Sequence, residues 1–160
     1  MSTAVVYVTK HGTTAKIADL IAQALGTATL IDLGDDPGSD LSRFDRIVLG
    51  GPVYAGQPLK RLKAFEAAHA AELLSKPLAL FTCGMETDLS QREAEIAAMF
   101  SEPLRSHAVG AWFMGGEFQF QELGFFEKAV VRRIVHVTES VTAIDQVAVT
   151  ALAQALKTAR

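Results

Sequence analysis

Short, nearly continuous apolar runs alternate with amphipathic stretches along this sequence. AVVYV (4–8), TATLIDL (27–33), RIVLGGPV (46–53), PLALFTCG (77–84) and AVGAWFMGG (108–116) carry little polar interruption. Runs of this kind fit strands buried on both faces rather than strands with one wet side. Between the first two, Ile17, Leu20, Ile21, Ala24 and Leu25 recur at helical spacing, and Gly26 stands where a C-terminal cap belongs. LKRLKAFEAAHAAELL (59–74) predicts a second helix, with Leu59, Leu62, Phe65 and Ala68 or His69 on its apolar side. Residues 91–100 predict a third, with Ile96, Met99 and Phe100 inward. Two more helix patterns lie near 123–136 and over 143–157. The last reads as opened by a capping box from Thr142 to Asp145 and as burying Ile144, Val147, Ala151, Leu152, Ala155 and Leu156. GDDPGSD (34–40) is a turn on composition.

Strand–helix alternation predicts an α/β fold, a parallel sheet with helices on both faces. A length of 160 residues suits one domain, 1–160. In such sheets ligands bind beyond the carboxyl ends of the strands, where the strand order reverses. That rule gathers three loops into one neighbourhood: 9–14, 52–58 and 83–90.

The first loop is the richest in chemistry. Thr9, Lys10, His11, Gly12, Thr13 and Thr14 join a strand to a helix N-terminus, where backbone N–H groups are free and the helix dipole is positive. Three hydroxyls and a glycine for the tight turn suit a phosphate monoester. A Walker A loop is excluded because Gly12 is followed by Thr13-Thr14 and not by Lys-Ser/Thr, and a dinucleotide fingerprint because only one glycine is present. A phospho-accepting receiver domain would need acids after the first and third strands. Those ends read Thr9-Lys10-His11 and Gly50-Gly51-Pro52.

At these residues the sequence resembles the flavodoxin family, whose first loop, Ser/Thr-x-Thr-Gly-x-Thr, holds the phosphate of FMN. Thr9, Gly12 and Thr14 match that pattern, while His11 stands where the family has a hydroxyl. The resemblance extends to IVLGGPVYAGQP (47–58), similar to the family's loop along the isoalloxazine, and to LALFTCGME (78–86), similar to the strand and loop covering its pyrimidine side. It implies a three-layer flavodoxin-like sandwich with a five-stranded parallel sheet in the order 2-1-3-4-5. It also implies FMN as cofactor, held by residues 9–14, by Pro52, Val53, Tyr54, Ala55 and Gly56, and by Thr82, Cys83, Gly84 and Met85. Tyr54 has a face to stack on a flat ring. Gly50, Gly51 and Gly56 are expected to bring backbone close to that ring. The stretch GGEFQFQELGFFEKAVVRRIV (115–135) looks closest to the bacterial menaquinone-dependent protoporphyrinogen oxidase branch.

Charge and cysteine content narrow the setting. A formal charge of −3 argues against nucleic acid as partner. One cysteine, Cys83, allows no internal disulfide and makes a reducing cytoplasm the default expectation. No apolar run approaches the length of a membrane span. Cys83 reads as a small buried residue, His69 and His136 as packing or surface residues, Glu86 and Asp88 as solvated loop acids. Phe118, Phe120, Phe125 and Phe126, with Lys128, Arg132 and Arg133, mark 117–135 as a place where a quinone, a porphyrinogen or the inner face of a membrane would dock. With no metal cluster, paired carboxylates or Ser-His-Asp set in view, no residue is assigned as catalytic and no metal is expected. Three functions remain open: an FMN-dependent oxidoreductase, a non-enzymatic electron carrier serving a redox partner protein, and a flavin-free interaction module keeping the fold.

Overall fold

A computed structural model describes residues 1–54, 58–118 and 141–159. Strands β1 (Thr3–Tyr7), β2 (Thr29–Asp32), β3 (Arg46–Pro52), β4 (Leu78–Cys83) and β5 (Gly110–Phe113) form one parallel sheet in the order β2-β1-β3-β4-β5. The described helices are α1 (Thr13–Leu25), α2 (Lys60–Ala68), α3 (Ala70–Ser75), α4 (Leu89–Met99), α5 (Glu102–His107) and α6 (Gln146–Thr158). Successive strand residues face opposite sides of a sheet, and both sides here are covered. Ala4, Val6 and Val8 join a core with Leu62, Phe65, Leu73, Met99 and Leu104 of α2 to α5. Val5 and Tyr7 join another with Ile17 and Ile21 of α1 and Leu152 and Leu156 of α6. The continuous apolar runs follow from this, because no position on a central strand is left facing water.

Three expectations need correction. The run at 108–116 is not one strand. It ends as β5 at Phe113, and Gly115, at φ +74°, turns the chain into β6 (Gly115–Phe118), antiparallel to β7 (Val141–Ile144). The last helix consequently begins later than expected. Asp145 is its cap, accepting from the Ala148 N–H at 3.0 Å, in place of the expected Thr142–Asp145 box. The buried face rotates to Val149, Leu152, Ala153 and Leu156, leaving Val147 79% exposed. The helix at 59–74 divides at His69, whose ring stacks on Phe65 at 4.3 Å and whose backbone (φ −115°, ψ 19°) leaves the helical region. Asp88 is exposed in the loop, as expected, and also caps α4: it accepts from the Gln91 N–H at 3.0 Å just before the helix starts at Leu89. Helix α5 was not expected, although Pro103 near its start was a usable signal. The predicted helix at 123–136 lies outside the described residues.

Candidate functional site

The strand order reverses between β1 and β3, so their carboxyl ends open a crevice. Gly12 stands in the left-handed region at φ +89°, and this lets the chain pass from β1 into α1 within a few residues. Thr9 Oγ1 accepts from the Gly12 N–H at 3.0 Å and braces the turn. The N-cap of α1, Gly12, has no side chain to cap it and no acid stands in its first turn; the first backbone bond runs from the Lys16 N–H to the Gly12 carbonyl at 3.2 Å. The first amides of a helix have no intrahelical acceptor, and the dipole there favours an anion. Thr9, His11, Gly12 and Thr13 are half-buried, and Lys10 is exposed.

Thr14 is buried, and its Oγ1 lies 3.1 Å from Cys83 Sγ at the end of β4. Burial pushes the Cys83 thiol up to about 11, against a smaller opposing effect of the Thr14 contact. The thiol is therefore protonated at neutral pH and able to donate to Thr14, which leaves the threonine hydroxyl hydrogen for another acceptor.

The other two predicted loops reach the same place. The Val53 N–H donates to the Cys83 carbonyl at 3.0 Å, extending the Pro52–Cys83 pairing of β3 and β4. Tyr54 is 39% exposed, with Lys10 Nζ 3.2 Å from its ring centroid and the His11 ring 6.4 Å away. Each pair of loops is thus joined: first to second through Lys10 and Tyr54, second to third through Val53 and Cys83, first to third through Thr14 and Cys83. Ala55 and Gly56 lie outside the described residues.

Some predicted site residues serve the interior instead. Thr82 is fully buried and its hydroxyl donates to the Gly51 carbonyl at 3.0 Å; the Cys83 side chain is buried on the opposite face of the sheet, in the core with Phe81. Neither presents its side chain to a ligand, because on a central strand those positions face the core. Gly84 and Met85, just beyond the strand, are half-buried. Gly50 and Gly51 are glycines for packing: a Cβ at 50 would lie 2.2 Å from the Phe81 ring, and one at 51 would lie 2.7 Å from Val8.

The neighbourhood of Gly115 was missed in the sequence. Its carbonyl accepts from the Gly84 N–H at 2.9 Å, so the β6–β7 ribbon forms a wall beside the third loop. A doubled glycine, 115–116, was the available signal. A separate cavity of about 560 Å³ runs along β2, lined by Tyr7, Asp32, Asp35, Asp36, Asp40 and Arg43 among others. Burial first, then Asp32 and Asp35, push the Tyr7 phenol up. Four aspartates against one arginine make this cavity unfavourable for an anion. Among the described residues no group of three or more His, Cys, Asp or Glu would hold a metal, and no helix is long and apolar enough to cross a membrane.

The family model described as Flavodoxin domain matches residues 4–145. The chain belongs to the flavodoxin family. No curated protein matches the sequence. Among solved structures, oxidised flavodoxin 2 from Bacillus cereus is 19% identical over 98% of either chain, with a TM-score of 0.63. A flavodoxin, WrbA-like protein from Agrobacterium tumefaciens is 18% identical over 99% of either chain, with a TM-score of 0.61. A flavoprotein from Lactobacillus acidophilus NCFM, solved in complex with FMN, is 17% identical over 70% of this chain and 92% of that one, at a TM-score of 0.55. At such identities the shared property is the fold, and the sheet order of this flavodoxin domain is the expected one.

Proposed function

We propose that this flavodoxin domain holds FMN at the β1–β3 switch and works as an oxidoreductase. One observation carries the reading: three loops are tied pairwise around an α1 N-terminus whose N-cap, Gly12, has no side chain and whose first turn holds no acid. The residues present fit the cofactor. Thr9 and Thr13 offer hydroxyls, the α1 amides offer donors, Lys10 adds positive charge, and beyond Gly12 nothing lies within 4 Å of where a Cβ would stand. In sheets of this order ligands bind at the switch point, as FMN does in flavodoxins. When bound, FMN supplies the electron-transfer chemistry.

The chain's own residues bind and orient. The β1–α1 loop would anchor the phosphate, and Lys10 would be drawn from the Tyr54 ring toward that charge, uncovering an aromatic face for the flavin. The bond from the Val53 N–H to Cys83 fixes the height of the second loop, and Gly84 with Met85 borders the opposite side. The contact between Thr14 Oγ1 and the Cys83 thiol at 3.1 Å would hold the Thr14 side chain in place beneath the loop.

For the redox partner we favour a small apolar molecule, a quinone or a porphyrinogen, met on the cytoplasmic side of a membrane through 117–135. The support is the likeness of 115–135 to the protoporphyrinogen oxidase branch and the mild net charge of −3, where shuttles that dock basic proteins are usually strongly acidic. The first test is a visible spectrum of the purified protein with FMN, beside Gly12→Asp. Bound-flavin bands lost in the variant support the reading; no shift for the parent protein overturns it. Reduced holoprotein is then mixed with a naphthoquinone, and oxidised holoprotein with protoporphyrinogen. Turnover of either supports an enzyme, and reoxidation by protein partners alone makes it a carrier.

A further inference from the structure

The base of the β6–β7 ribbon is bonded to the third loop of the site. The Met114 N–H donates to the Thr82 carbonyl at 2.8 Å, and the Gly84 N–H donates to the Gly115 carbonyl at 2.9 Å. The Asp145 N–H, where the chain returns, donates to the Met114 carbonyl at 2.8 Å. Contact is closest at Gly116. A Cβ there would lie 2.7 Å from the Gly84 carbonyl oxygen and 3.2 Å from Met85 Sδ. The thioether is able to swing away, but the carbonyl is backbone in a chain already tied on both sides. On the ribbon's other side, Gly115 presses against β7, where a Cβ would stand 2.0 Å from the Ala143 carbonyl oxygen.

We infer that Gly116 is a positioning residue for the cofactor's ring: it sets where the Gly84–Met85 backbone stands, and the ribbon thereby fixes the ring-side wall of the site. This inference rests on the FMN reading. Gly116 touches no ligand and acts through Gly84. Because Gly84 and Met85 border the ring side and the β1–α1 loop the phosphate side, the two halves of the molecule FMN separate the two effects. Riboflavin has the ring and lacks the phosphate.

Dissociation constants for FMN and riboflavin are measured by flavin fluorescence on the parent, Gly116→Ala and Gly38→Ala, the last a turn glycine with open space around it. Gly116→Ala is expected to weaken both ligands by the same factor, about tenfold, the equivalent of one lost hydrogen bond, and to shift the bound-flavin absorption bands. Gly38→Ala is expected to match the parent. Amide exchange in the apoprotein gives a ligand-free readout. The Gly84 N–H should exchange faster in Gly116→Ala while those of Val5 and Leu80 in the central strands keep their rates. Unchanged riboflavin affinity, or a loss confined to FMN, overturns the inference. A parent that binds neither flavin fails the FMN reading instead and is recognised before any variant is made. If Gly116→Ala does not fold, the parent decides the matter. Coupling is reciprocal, so riboflavin should slow exchange at Met114, Gly115 and Ala143, and no protection there overturns the inference.

Discussion

The β1–α1 loop and the β6–β7 ribbon flank one site and are built in opposite ways. The loop is contiguous: Thr9 braces Gly12 across three residues, and the helix that supplies the donors begins at the next position. The ribbon is assembled from distant chain, with Gly84, Gly115 and Ala143 meeting at one place. Both depend on a glycine with positive φ, but for different reasons. Around Gly12 (φ +89°) a Cβ would meet nothing within 4 Å, so the requirement is the backbone angle alone. Around Gly115 (φ +74°) the same angle coincides with a carbonyl oxygen at 2.0 Å, so the angle and the space both demand glycine. The loop's glycine stands in open space, whereas the ribbon's is packed from behind.

That contrast breaks most directly under one substitution made in both places. Gly115→Ala combines the left-handed penalty with a backbone clash and should destabilise the protein by about 3 kcal/mol or more. Urea unfolding would read it, and a change under 1 kcal/mol would mean that the ribbon yields freely. The next largest effect tests the bond that joins the loop to β4. The Cys83 thiol is neutral when protonated, and folding raises it from 9.0 to about 11. Its contribution is therefore complete below pH 9 and is lost as pH climbs toward 11, because the unfolded chain releases that proton first. Parent and Cys83→Ala should converge in relative stability by roughly 2–3 kcal/mol across that window. A stability difference that stays flat from pH 8 to 11 would count against a buried thiol.

Gly12→Ala carries only the angle and should cost about 1–2 kcal/mol, less than Gly115→Ala in the same assay. Equal losses at the two glycines would erase the distinction between open loop and packed wall. Smallest is Thr9→Ala, which removes the brace on the Gly12 N–H. We expect about 0.5–1.5 kcal/mol of stability lost, together with weaker FMN binding and little change for riboflavin. A riboflavin loss as large as the FMN loss would move Thr9 from the phosphate side to the ring side.

The same difference explains what could be read in advance. Residues 9–14 announced themselves because a strand end, a turn glycine and a helix start are local events, each with its own residue preferences. Asp88 and Asp145 capping their helices, and Thr82 turning inward to Gly51, involve residues whose types allow either a wet or a structural role. Gly50 and Gly51 look like glycines for a ligand until Phe81 and Val8, from neighbouring strands, occupy the space where a Cβ would be.

By itself the sequence determined the α/β class, the five sheet strands and the strand–turn–helix passage at residues 9–14. Apolar periodicity and turn chemistry act within a few residues, and these features need nothing more. Tertiary structure alone decided that the run at 108–116 leaves the sheet at Gly115, that 141–144 returns as a strand beside it, and that Cys83 meets Thr14 across 69 positions of chain. Those outcomes depend on which atoms the fold brings within a few ångströms, and contact at that range is set by the packing of the whole sheet.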